Sequence, residues 1–267
     1  MTAPLSILIV KIYRLIFARQ IFHRFNRLLY HCSLSGMGVL NFENDQVSGE
    51  HRFLKQILAG RPGGVVIDVG ANVGKYSSRV LQINPLLTVY AFEPHPHTFS
   101  TLEKSVRHLN FTAINAAVGA NAGSADLFDY AANDGSSHAS LYQDVIESIH
   151  HAPSIHHKVK VVTLGEFARD NHITRIKLLK IDTEGNELNV LKGLEDYLRA
   201  GTIDAIHFEF NEMNVASRVF FRDFWDILPN YDFYRLLPDG MVKLDQYSPV
   251  FCEIFAYQNV VALLKRS

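Results

Sequence analysis

Cysteine is scarce in this sequence of 267 residues. The two cysteines, Cys32 and Cys252, stand far apart, and no Cys-x-x-Cys pair occurs. A disulfide framework is therefore not implied, and a reducing compartment is the default for such a chain. We expect a cytoplasmic protein.

An excess of charge of either sign is also missing. The chain has 26 lysine and arginine residues against 27 aspartate and glutamate residues, which gives a formal net charge of -1. Hydrophobic residues make up 48% of the chain, which is enough for a sizeable core. The net charge does not indicate a nucleic-acid partner. The main domain also has no basic stripe interleaved with aromatic residues.

Acidic residues are absent from residues 1–40, where the positive charges are Lys11, Arg14, Arg19, Arg24 and Arg27. Three of these charges interrupt the apolar stretch of this segment, which therefore falls short of the ~20 apolar residues of a transmembrane helix. The stretch has no basic region before its apolar part and no obvious cleavage site, which argues against a signal peptide.

Residues 15–30 have the periodicity of a basic amphipathic helix, with arginines on one side and apolar residues on the other. Two interpretations stay open. The helix packs on the main domain or on a second subunit, or it lies on the anionic inner face of a membrane. We assign residues 1–48 to an N-terminal helical extension and residues 49–267 to the main domain.

Strand-like and helix-like segments alternate after residue 60. The pattern predicts strands over 65–70, 86–94, 111–120, 124–130, 159–164, 176–182 and 204–210, with two closing strands within 232–237 and 251–264. It predicts helices over 75–83, 96–109, 187–200 and 218–228. Such alternation predicts an α/β fold, with a mostly parallel sheet covered by helices on both faces.

Residues 131–157 are polar and rich in serine and histidine, and we predict a mobile loop that closes over a ligand. The histidines of this region are His138, His150, His151, His156 and His157. No cysteine and no regular helical spacing fixes their geometry, so we expect no metal site.

A glycine turn follows the first predicted strand, with the pattern Asp68-x-Gly70-x-x-x-Gly74. Glycines in such a turn let the backbone approach a ligand closely. A dinucleotide site would instead have Gly-x-Gly-x-x-Gly, and a carboxylate before the turn suits a cationic ligand better than a pyrophosphate. Glu93 ends the second strand, 23 residues after Gly70, where an acid can hydrogen-bond a ribose diol.

These residues resemble the Rossmann-like S-adenosylmethionine-dependent methyltransferases. The resemblance implies the class I methyltransferase fold, with a seven-stranded sheet, and S-adenosyl-L-methionine as cofactor. It implies a cofactor site made of Asp68, Gly70, Asn72, Gly74, Tyr76, Glu93, Ala117, Val118 and Asp182. The sulfonium of the cofactor is cationic, which gives the carboxylates of this set an electrostatic role.

The segment KIDTEGNE, residues 180–187, narrows the resemblance to the FkbM family of methyltransferases. Five other segments match the family in order: DVGANVGKYS, FEP, NAAVG, GSS and VKVVTLGEF. Many members have aspartate where this chain has Gly165. The similarity covers roughly residues 50–260, and it implies O-methylation of a hydroxyl on a sugar, glycolipid, polysaccharide precursor or other small molecule.

Two carboxylates in KIDTEGNE, Asp182 and Glu184, are the candidate catalytic residues, because an alcohol needs a base to become a good nucleophile. The alternative for Glu184 is stabilisation of the following helix dipole. The same pair could bind a divalent cation, but the sequence offers no convincing third ligand. Glu209 at the end of the next strand is a candidate for acceptor binding. From the family resemblance, Ser136 and Ser137 are further candidates for the acceptor site.

Two other functions stay open at this point. The first is an NAD(P)-dependent oxidoreductase on a similar sheet, which the missing Gly-x-Gly-x-x-Gly pattern disfavours. The second is a methyltransferase-like scaffold without activity, which the intact Asp68, Gly70, Glu93 and Asp182 disfavour.

Overall fold

The computed structural model describes residues 3–265. Its strands are β1 (Gly64–Val69), β2 (Leu87–Phe92), β3 (Phe111–Ile114), β4 (Ala117–Val118), β5 (Gly123–Tyr130), β6 (Ser154–Val162), β7 (Ile176–Ile181), β8 (Ala205–Phe210), β9 (Tyr231–Leu237), β10 (Gly240–Leu244) and β11 (Gln258–Leu264). Its α-helices are α1 (Ala3–Phe17), α2 (His23–Gly36), α3 (Glu50–Leu58), α4 (Lys75–Ile83), α5 (Pro96–Ser105), α6 (Leu164–Asp170), α7 (Glu187–Lys192), α8 (Glu195–Arg199), α9 (Met213–Ser217), α10 (Phe221–Ile227) and α11 (Pro249–Cys252).

The main sheet has eight strands in the order β10-β9-β11-β8-β7-β1-β2-β3. The five strands from β8 to β3 run parallel, and β11 lies antiparallel to both of its neighbours. The chain starts on β1 at the centre, builds outward to β3 and then returns to the other side with β7. The α/β class I methyltransferase architecture expected from the sequence is therefore confirmed.

The sheet has one strand more than the seven expected, because the closing region contains a hairpin. Strands β9 and β10 pair antiparallel across a turn at Pro238 and Asp239, followed by Gly240. Proline, aspartate and glycine in this order are a strong turn signal, and its presence in the sequence could have predicted the additional strand.

A second sheet of three strands, in the order β4-β6-β5, accounts for two further differences. The strand predicted over 111–120 is divided, since β3 ends at Ile114 and β4 leaves the main sheet to pair with β6. The loop predicted over 131–157 is shorter than expected. A π-helical turn occupies Val145–Ile149, and β6 already begins at Ser154, where it pairs with β5.

Of the predicted helices, one is divided and another begins later than expected. The helix over 187–200 divides into α7 and α8, which are separated by Gly193 and Leu194. The helix over 218–228 begins only at Phe221, as α10, and a short α9 precedes it. These boundaries do not alter the layer order, because the separate helices still cover the sheet.

The core consists of a hydrophobic cluster on each face of the main sheet. One cluster combines aliphatic residues with aromatic residues from β8, α10 and β9, and its buried aromatic members include Phe208, Phe210, Phe221, Phe224 and Phe233. The other cluster joins α3, α4 and α5 to the opposite face. The two clusters hold the carboxyl ends of the central strands in a fixed position.

The N-terminal extension differs from the single amphipathic helix predicted over 15–30. Helix α1 ends at Phe17, a 3-10 turn covers Gln20–Phe22, and α2 begins at His23. Asn26 links the two helices, because it accepts a hydrogen bond from Tyr13 and donates one to the Phe17 carbonyl. Within residues 3–265 no helix is both long and apolar enough to cross a membrane.

Candidate active site

A cavity of about 700 Å³ opens at the carboxyl ends of β1, β2, β7 and β8. This is the edge where parallel α/β sheets bind their ligands. The cavity brings together the following residues that the sequence predicted: Asp68, Gly70, Asn72, Tyr76, Glu93, Ala117, Val118, Ser136, Ser137, Asp182, Glu184 and Glu209. Its volume is in the range of small-molecule and cofactor pockets.

The turn after β1 requires glycine at position 70. Gly70 has φ +79°, and a Cβ built there would lie 1.7 Å from the carbonyl oxygen of Asp182. The backbone of the turn therefore passes directly against the end of β7. Asn72 follows in a left-handed conformation with φ 49°, and its side chain accepts a hydrogen bond from the Val73 N–H.

Gly74 was also predicted to contact the cofactor, but among residues 3–265 it is not part of the cavity lining. It has φ +84°, and a Cβ there would lie 2.6 Å from Val106 and 2.8 Å from Leu102. The absence of a side chain at Gly74 thus permits close packing of the turn against α5. Its part in the site is to position the turn, whereas Gly70 and Asn72 lie at the cavity.

Glu93 lies at the end of β2 with both carboxylate oxygens held by the backbone. One oxygen accepts a hydrogen bond from the Asn72 N–H at 2.9 Å, and the other accepts one from the His95 N–H at 2.8 Å. Burial raises the pKa of Glu93 to about 7, although these two hydrogen bonds favour the ionised form. Each oxygen keeps a second lone pair, so the carboxylate can still accept hydrogen bonds from a diol.

Asp68 and Tyr76 have buried partners on the floor of the cavity. Asp68 accepts a hydrogen bond from the Ser77 hydroxyl at 2.6 Å, and burial raises the pKa of Asp68 to about 6. The Tyr76 hydroxyl lies 3.0 Å from His207 Nδ1, and His207 Nε2 lies 2.8 Å from the Asn259 side-chain oxygen. We assign the proton of His207 to Nε2, since Asn259 accepts there.

Lys180 is a buried cation of the site. Its Nζ lies 3.4 Å from Asp182 and 3.7 Å from Glu209, and only 4% of its side chain is exposed. Burial alone would lower the pKa of Lys180, but the carboxylates of Asp182, Glu209 and Glu50 together raise it above its usual range. Within the described part of the chain, Lys180 Nζ has no hydrogen-bond partner at normal distance.

The pKa of Glu209 is also raised, but for a carboxyl group this favours the neutral form. Burial and the nearby Asp182 carboxylate raise the pKa of Glu209 to about 8, against the opposing effect of Lys180. Glu209 is therefore largely protonated at neutral pH. Asp182 is the more accessible partner of Lys180, with 33% of its side chain exposed compared with 14% for Glu209.

The segment after Asp182 is a strained turn. Glu184 has φ 52° and Gly185 has φ 106°. The Glu187 carboxylate holds the turn by accepting hydrogen bonds from Thr183 N–H, Thr183 hydroxyl and Gly185 N–H, each at 3.0 Å. Left-handed non-glycine residues of this kind cluster at functional sites.

The turn directs Glu184 into the cavity. Among the residues described, Glu184 Oε2 has no hydrogen-bond partner although solvent does not reach it. Burial, reinforced by Asp182 and Glu209, raises the pKa of Glu184 well above its usual range. An unpaired carboxyl group in a cavity is costly, which indicates that a ligand completes its hydrogen bonds. Helix-dipole stabilisation, the alternative from the sequence, does not explain this orientation.

The two serines of the acceptor prediction have different surroundings. The Ser136 hydroxyl donates to Asp129 and accepts from the His138 N–H, so its contacts fix the loop. Ser137 lies at the cavity, and within residues 3–265 its side chain makes no hydrogen bond. Ser137 is thus the more available of the two for a ligand.

Several lining residues were missed by the sequence analysis, and Glu50 is the most significant. Glu50 is the first residue of α3, and burial raises the pKa of its carboxyl group to about 7. Its only signal in the sequence is an acid at the start of an amphipathic helix, which is usually explained by the helix dipole. Tyr257, His138 and His150 also line the cavity.

This arrangement is suited to a cationic cofactor with a ribose. Asp68, Asp182 and Glu50 place carboxyl groups around the floor, and the tight turn at Gly70 allows close contact with the backbone. Glu93 is available to a ribose diol at the tip of β2, where adenosine-binding α/β folds place an acid. The fold and the site together define a methyltransferase of the S-adenosylmethionine-dependent class.

Residues 68–234 match the family model described as "Methyltransferase FkbM domain", and the chain belongs to this family. S-adenosylmethionine is accordingly the cofactor of its site. The matched region begins near the end of β1 and contains β2 to β8, and it therefore includes the carboxyl ends of β1, β2, β7 and β8, which border the cavity.

Three curated relatives are similar to this chain. "Methyltransferase 1" of Beauveria bassiana is 31% identical over 49% of this chain and 58% of its own length. "31-O-demethyl-FK506 methyltransferase FkbM" of Streptomyces tacrolimicus is 30% identical over 60% of this chain and 70% of its own length. "Hexuronic acid methyltransferase AglP" of Haloferax volcanii is 27% identical over 51% of this chain and 52% of its own length. The chain thus spans between 52% and 70% of the length of these relatives.

Proposed function

We propose that this protein transfers the methyl group of S-adenosylmethionine to a hydroxyl of a sugar, glycolipid, polysaccharide precursor or other small molecule. The observation that carries the proposal is the pair of polar atoms beside Asp182 that make no hydrogen bond. Within the described residues, Lys180 Nζ and Glu184 Oε2 are both shielded from solvent without hydrogen-bond partners. A hydroxylated ligand suits either group, because a hydroxyl donates one hydrogen bond and accepts two.

Asp182 is the group that we assign to proton removal. It lies at the end of the central strand β7, and Lys180 at 3.4 Å gives its carboxylate a partner of opposite charge. Burial raises the pKa of Glu209 to about 8, so Glu209 is suited to donate a hydrogen bond to an acceptor oxygen at neutral pH. Burial also raises the pKa of Glu184 well above its usual range, which favours the neutral form of that group. Ser137 and Ser136 contribute the other wall of the acceptor site.

The cofactor residues act mainly by orientation. When bound, S-adenosylmethionine supplies an activated methyl group on a cationic sulfur. Asp68, Asp182, Tyr76, Gly70 and Asn72 hold the methionine side against the turn. Glu93, Ala117 and Val118 bind the adenosine. Methyl transfer to an aligned hydroxyl needs little more than this alignment and a base, since holding reactants in line removes much of the entropic barrier.

The relatives support oxygen as the methylated atom and sugars as one acceptor class. The printed name of the Streptomyces tacrolimicus protein specifies a 31-O-demethyl substrate, and that of the Haloferax volcanii protein specifies a hexuronic acid. A hexuronic acid carries a carboxylate, and Lys180 is a buried cation at the cavity that could pair with it. We therefore rank acidic sugars first among the acceptors to be tested.

Calorimetry with S-adenosylmethionine, S-adenosylhomocysteine and NADH is the first test, with the Glu93→Ala variant beside the natural chain. We expect micromolar binding of the first two ligands and its loss in the variant. Labelled methyl transfer to methyl glycosides of hexuronic acids and neutral hexoses then tests the acceptor class. NADH binding alone would favour an oxidoreductase. Cofactor binding without turnover on any acceptor in the panel would favour the inactive scaffold.

We also propose that the N-terminal extension contacts an anionic membrane at the cytoplasmic face. Apolar side chains of α1 and the following segment are exposed, with Leu15 at 70% and Ile21 at 85%. The segment carries the five positive charges noted above, and Glu43 is the first acidic residue of the chain. Aliphatic residues combined with basic residues favour the surface of an anionic membrane, where each lysine or arginine contributes about 1 kcal/mol. A membrane-associated acceptor would then be delivered close to the cavity.

Co-sedimentation with phosphatidylglycerol vesicles tests this contact, with phosphatidylcholine vesicles as the uncharged comparison. Leu15→Glu is expected to release the protein from the anionic vesicles. Val250→Glu is the matched control, since Val250 is 79% exposed and lies in α11 on the main domain. If the natural chain does not bind vesicles and Leu15→Glu converts a dimer to a monomer in light scattering, the extension is a subunit interface.

A further inference from the structure

A second group of potential ligands lies beside the cavity and has no part in methyl transfer. His95 Nε2 lies 2.8 Å from Asp134 Oδ1, and His157 Nε2 lies 2.7 Å from the same oxygen. We propose that His95, Asp134 and His157 form a binding site for a divalent transition-metal cation of the zinc type. The donor set is two imidazole nitrogens and one carboxylate oxygen, which such cations prefer.

Three distant segments of the chain converge to form this site. His95 stands between Pro94 and Pro96 immediately before α5, and its side chain is fully buried. His157 lies on β6, and Asp134 lies in the loop after β5. Nothing in the linear spacing indicates that His157 meets residues 95 and 134. From the sequence alone, His157 therefore belongs with the other histidines of the predicted loop.

A buried carboxylate fixes the loop that carries Asp134. Asp129 is fully buried, and its Oδ2 accepts hydrogen bonds from the Gly135 N–H at 2.7 Å and the Ser136 N–H at 2.8 Å. The same oxygen lies 3.7 Å from His95 Nε2. Asp129 thus positions the loop and adds negative charge beside the ligands, as outer groups at metal sites commonly do.

The burial of His95 limits which groups its imidazole can bind. Among the described residues, His95 Nδ1 has no hydrogen-bond partner although it is buried. The polar contacts of this fully buried imidazole are all made through Nε2, with Asp134 and Asp129. The observation that supports a cation is therefore the convergence of two imidazole nitrogens and a carboxylate oxygen on one point, since these ligand atoms all lie within 4.8 Å of one another.

Binding requires a small expansion of the cluster. Tetrahedral ligands with metal bonds of ~2.0–2.1 Å lie roughly 3.3 Å from one another, so each nitrogen must withdraw from Asp134 Oδ1 by about 0.5 Å. Asp134 and His157 can make this movement, since their side chains are 30% and 25% exposed. His97 is exposed, and its Nε2 lies 3.8 Å from Asp134 Oδ2, where it or a water molecule can complete four-coordination.

The site would fasten the rim of the cavity. Asp134 is separated by one residue from residues 136–138, which line the cavity. His95 lies two positions after the cofactor residue Glu93. A cation held by His95, Asp134 and His157 would therefore join the acceptor side of the rim to the cofactor side. Its role is to hold the loop in place, and the transferred methyl group does not depend on it.

The experiment is isothermal titration calorimetry with zinc chloride, after a chelator has removed bound metals. Thermal unfolding provides a second readout. His157→Gln removes a ligand, and His156→Gln is the matched control. The two residues are adjacent on β6, so their side chains point to opposite faces, and His156 is exposed. We expect one zinc per natural chain and a raised melting temperature. His157→Gln should weaken binding by more than the roughly 10–100-fold that loss of an outer-shell partner costs.

The variant Asp134→Asn extends the test to a ligand at the exposed end of the cluster. It should also lose tight zinc binding, while circular dichroism and S-adenosylhomocysteine binding report whether each variant is folded. Co²⁺ should give visible absorption bands in the natural chain and in His156→Gln only. Equal zinc affinity in His157→Gln and His156→Gln, or no binding above that of scattered surface histidines, would overturn the proposal.

Discussion

A Cβ atom built on Gly70 would lie 1.7 Å from the carbonyl oxygen of Asp182. This contact joins the turn after β1 to the end of β7, so the cofactor side and the catalytic side of the cavity share one backbone contact. The Asp182 N–H also donates to the Val69 carbonyl at 2.9 Å, which extends the pairing of the two strands to this point. The position of Asp182 therefore depends on the shape of the glycine turn.

The substitution Gly70→Ala should disturb both sides of the site. It places a side chain at φ +79° and forces the turn away from Asp182, so we expect a loss of about 2–4 kcal/mol in the free energy of unfolding. S-adenosylhomocysteine binding should fall below detection. Urea unfolding and calorimetry measure the two effects.

Gly60→Ala is the control for this substitution. Gly60 has φ +62° and no atom within 4 Å of an added Cβ, so the backbone strain is similar while the contact with Asp182 is unaffected. It should cost only about 1 kcal/mol and leave ligand binding unchanged. Equal losses for Gly60→Ala and Gly70→Ala would mean that the contact between Gly70 and Asp182 has no special importance.

The raised pKa of Glu93 predicts that cofactor binding depends on pH. Burial raises its pKa to about 7, and only the ionised carboxylate can accept hydrogen bonds from a diol at both oxygens. The affinity for S-adenosylhomocysteine should therefore rise about tenfold between pH 6 and pH 8, as the group loses its proton. Calorimetry across this range measures the change.

The variant Glu93→Gln cannot ionise and should bind weakly at every pH in this range. Any pH dependence that persists in it belongs to the other perturbed carboxyl groups, of which Asp68 has a pKa of about 6 and Glu50 of about 7. A natural chain whose affinity falls as the pH rises would contradict the role assigned to Glu93.

The contrast between Glu93 and Glu50 indicates what the sequence can and cannot predict. Glu93 was predictable because it ends a strand at a fixed distance from the glycine turn, and the strand order of the fold brings both to one edge. Glu50 lies before the first strand, and only tertiary packing of α3 brings it to Lys180 and Asp182. Local periodicity contains no information about that contact.

The second sheet illustrates a different limit. Strand β6 begins at Ser154, within the segment 131–157, whose serines and five histidines suggested a polar loop. Histidine is compatible with either a strand or a loop, so the pairing with β5 decides the structure. That pairing also brings His157 to Asp134 and His95, which is why the metal-binding arrangement was not predicted.

Asp182 and Glu209 provide a matched pair for the catalytic assignment. Both carboxyl groups lie beside Lys180, at 3.4 and 3.7 Å, and both can be replaced by an amide of the same shape. Asp182→Asn should lower kcat by about 10²–10⁴-fold at saturating cofactor, because it removes the base. Steady-state kinetics on the first acceptor found in the panel measures this.

Glu209→Gln should have little effect on kcat at pH 7. Burial raises the pKa of Glu209 to about 8, so the amide replaces a group that is already largely neutral. Its effect should appear above pH 8, where the natural carboxyl group ionises. If Glu209→Gln instead lowers kcat at pH 7 as strongly as Asp182→Asn, the base is not Asp182 alone.

Asp129 should be the most important single carboxylate for the stability of the second sheet. Its two oxygens accept hydrogen bonds from the N–H groups of Tyr130, Gly135 and Ser136 and from the Ser136 hydroxyl, and the residue is fully buried. In Asp129→Asn an amide group faces N–H donors in place of an acceptor. We expect a loss of about 2–4 kcal/mol, since buried donors are left unsatisfied.

Asp126→Asn is the comparison on the same strand. Asp126 is 39% exposed and pairs with Lys158 at 3.0 Å, and exposed ion pairs contribute about 0–1 kcal/mol. Urea unfolding of the two variants at pH 7 should therefore separate them clearly. Because Asp129 holds the loop of Ser136 and Ser137, its loss should also weaken acceptor binding, which appears as a raised KM. If both variants lose the same small amount of stability, the loop is not held by Asp129, and the rim of the cavity must be positioned by the packing of β5 on β6.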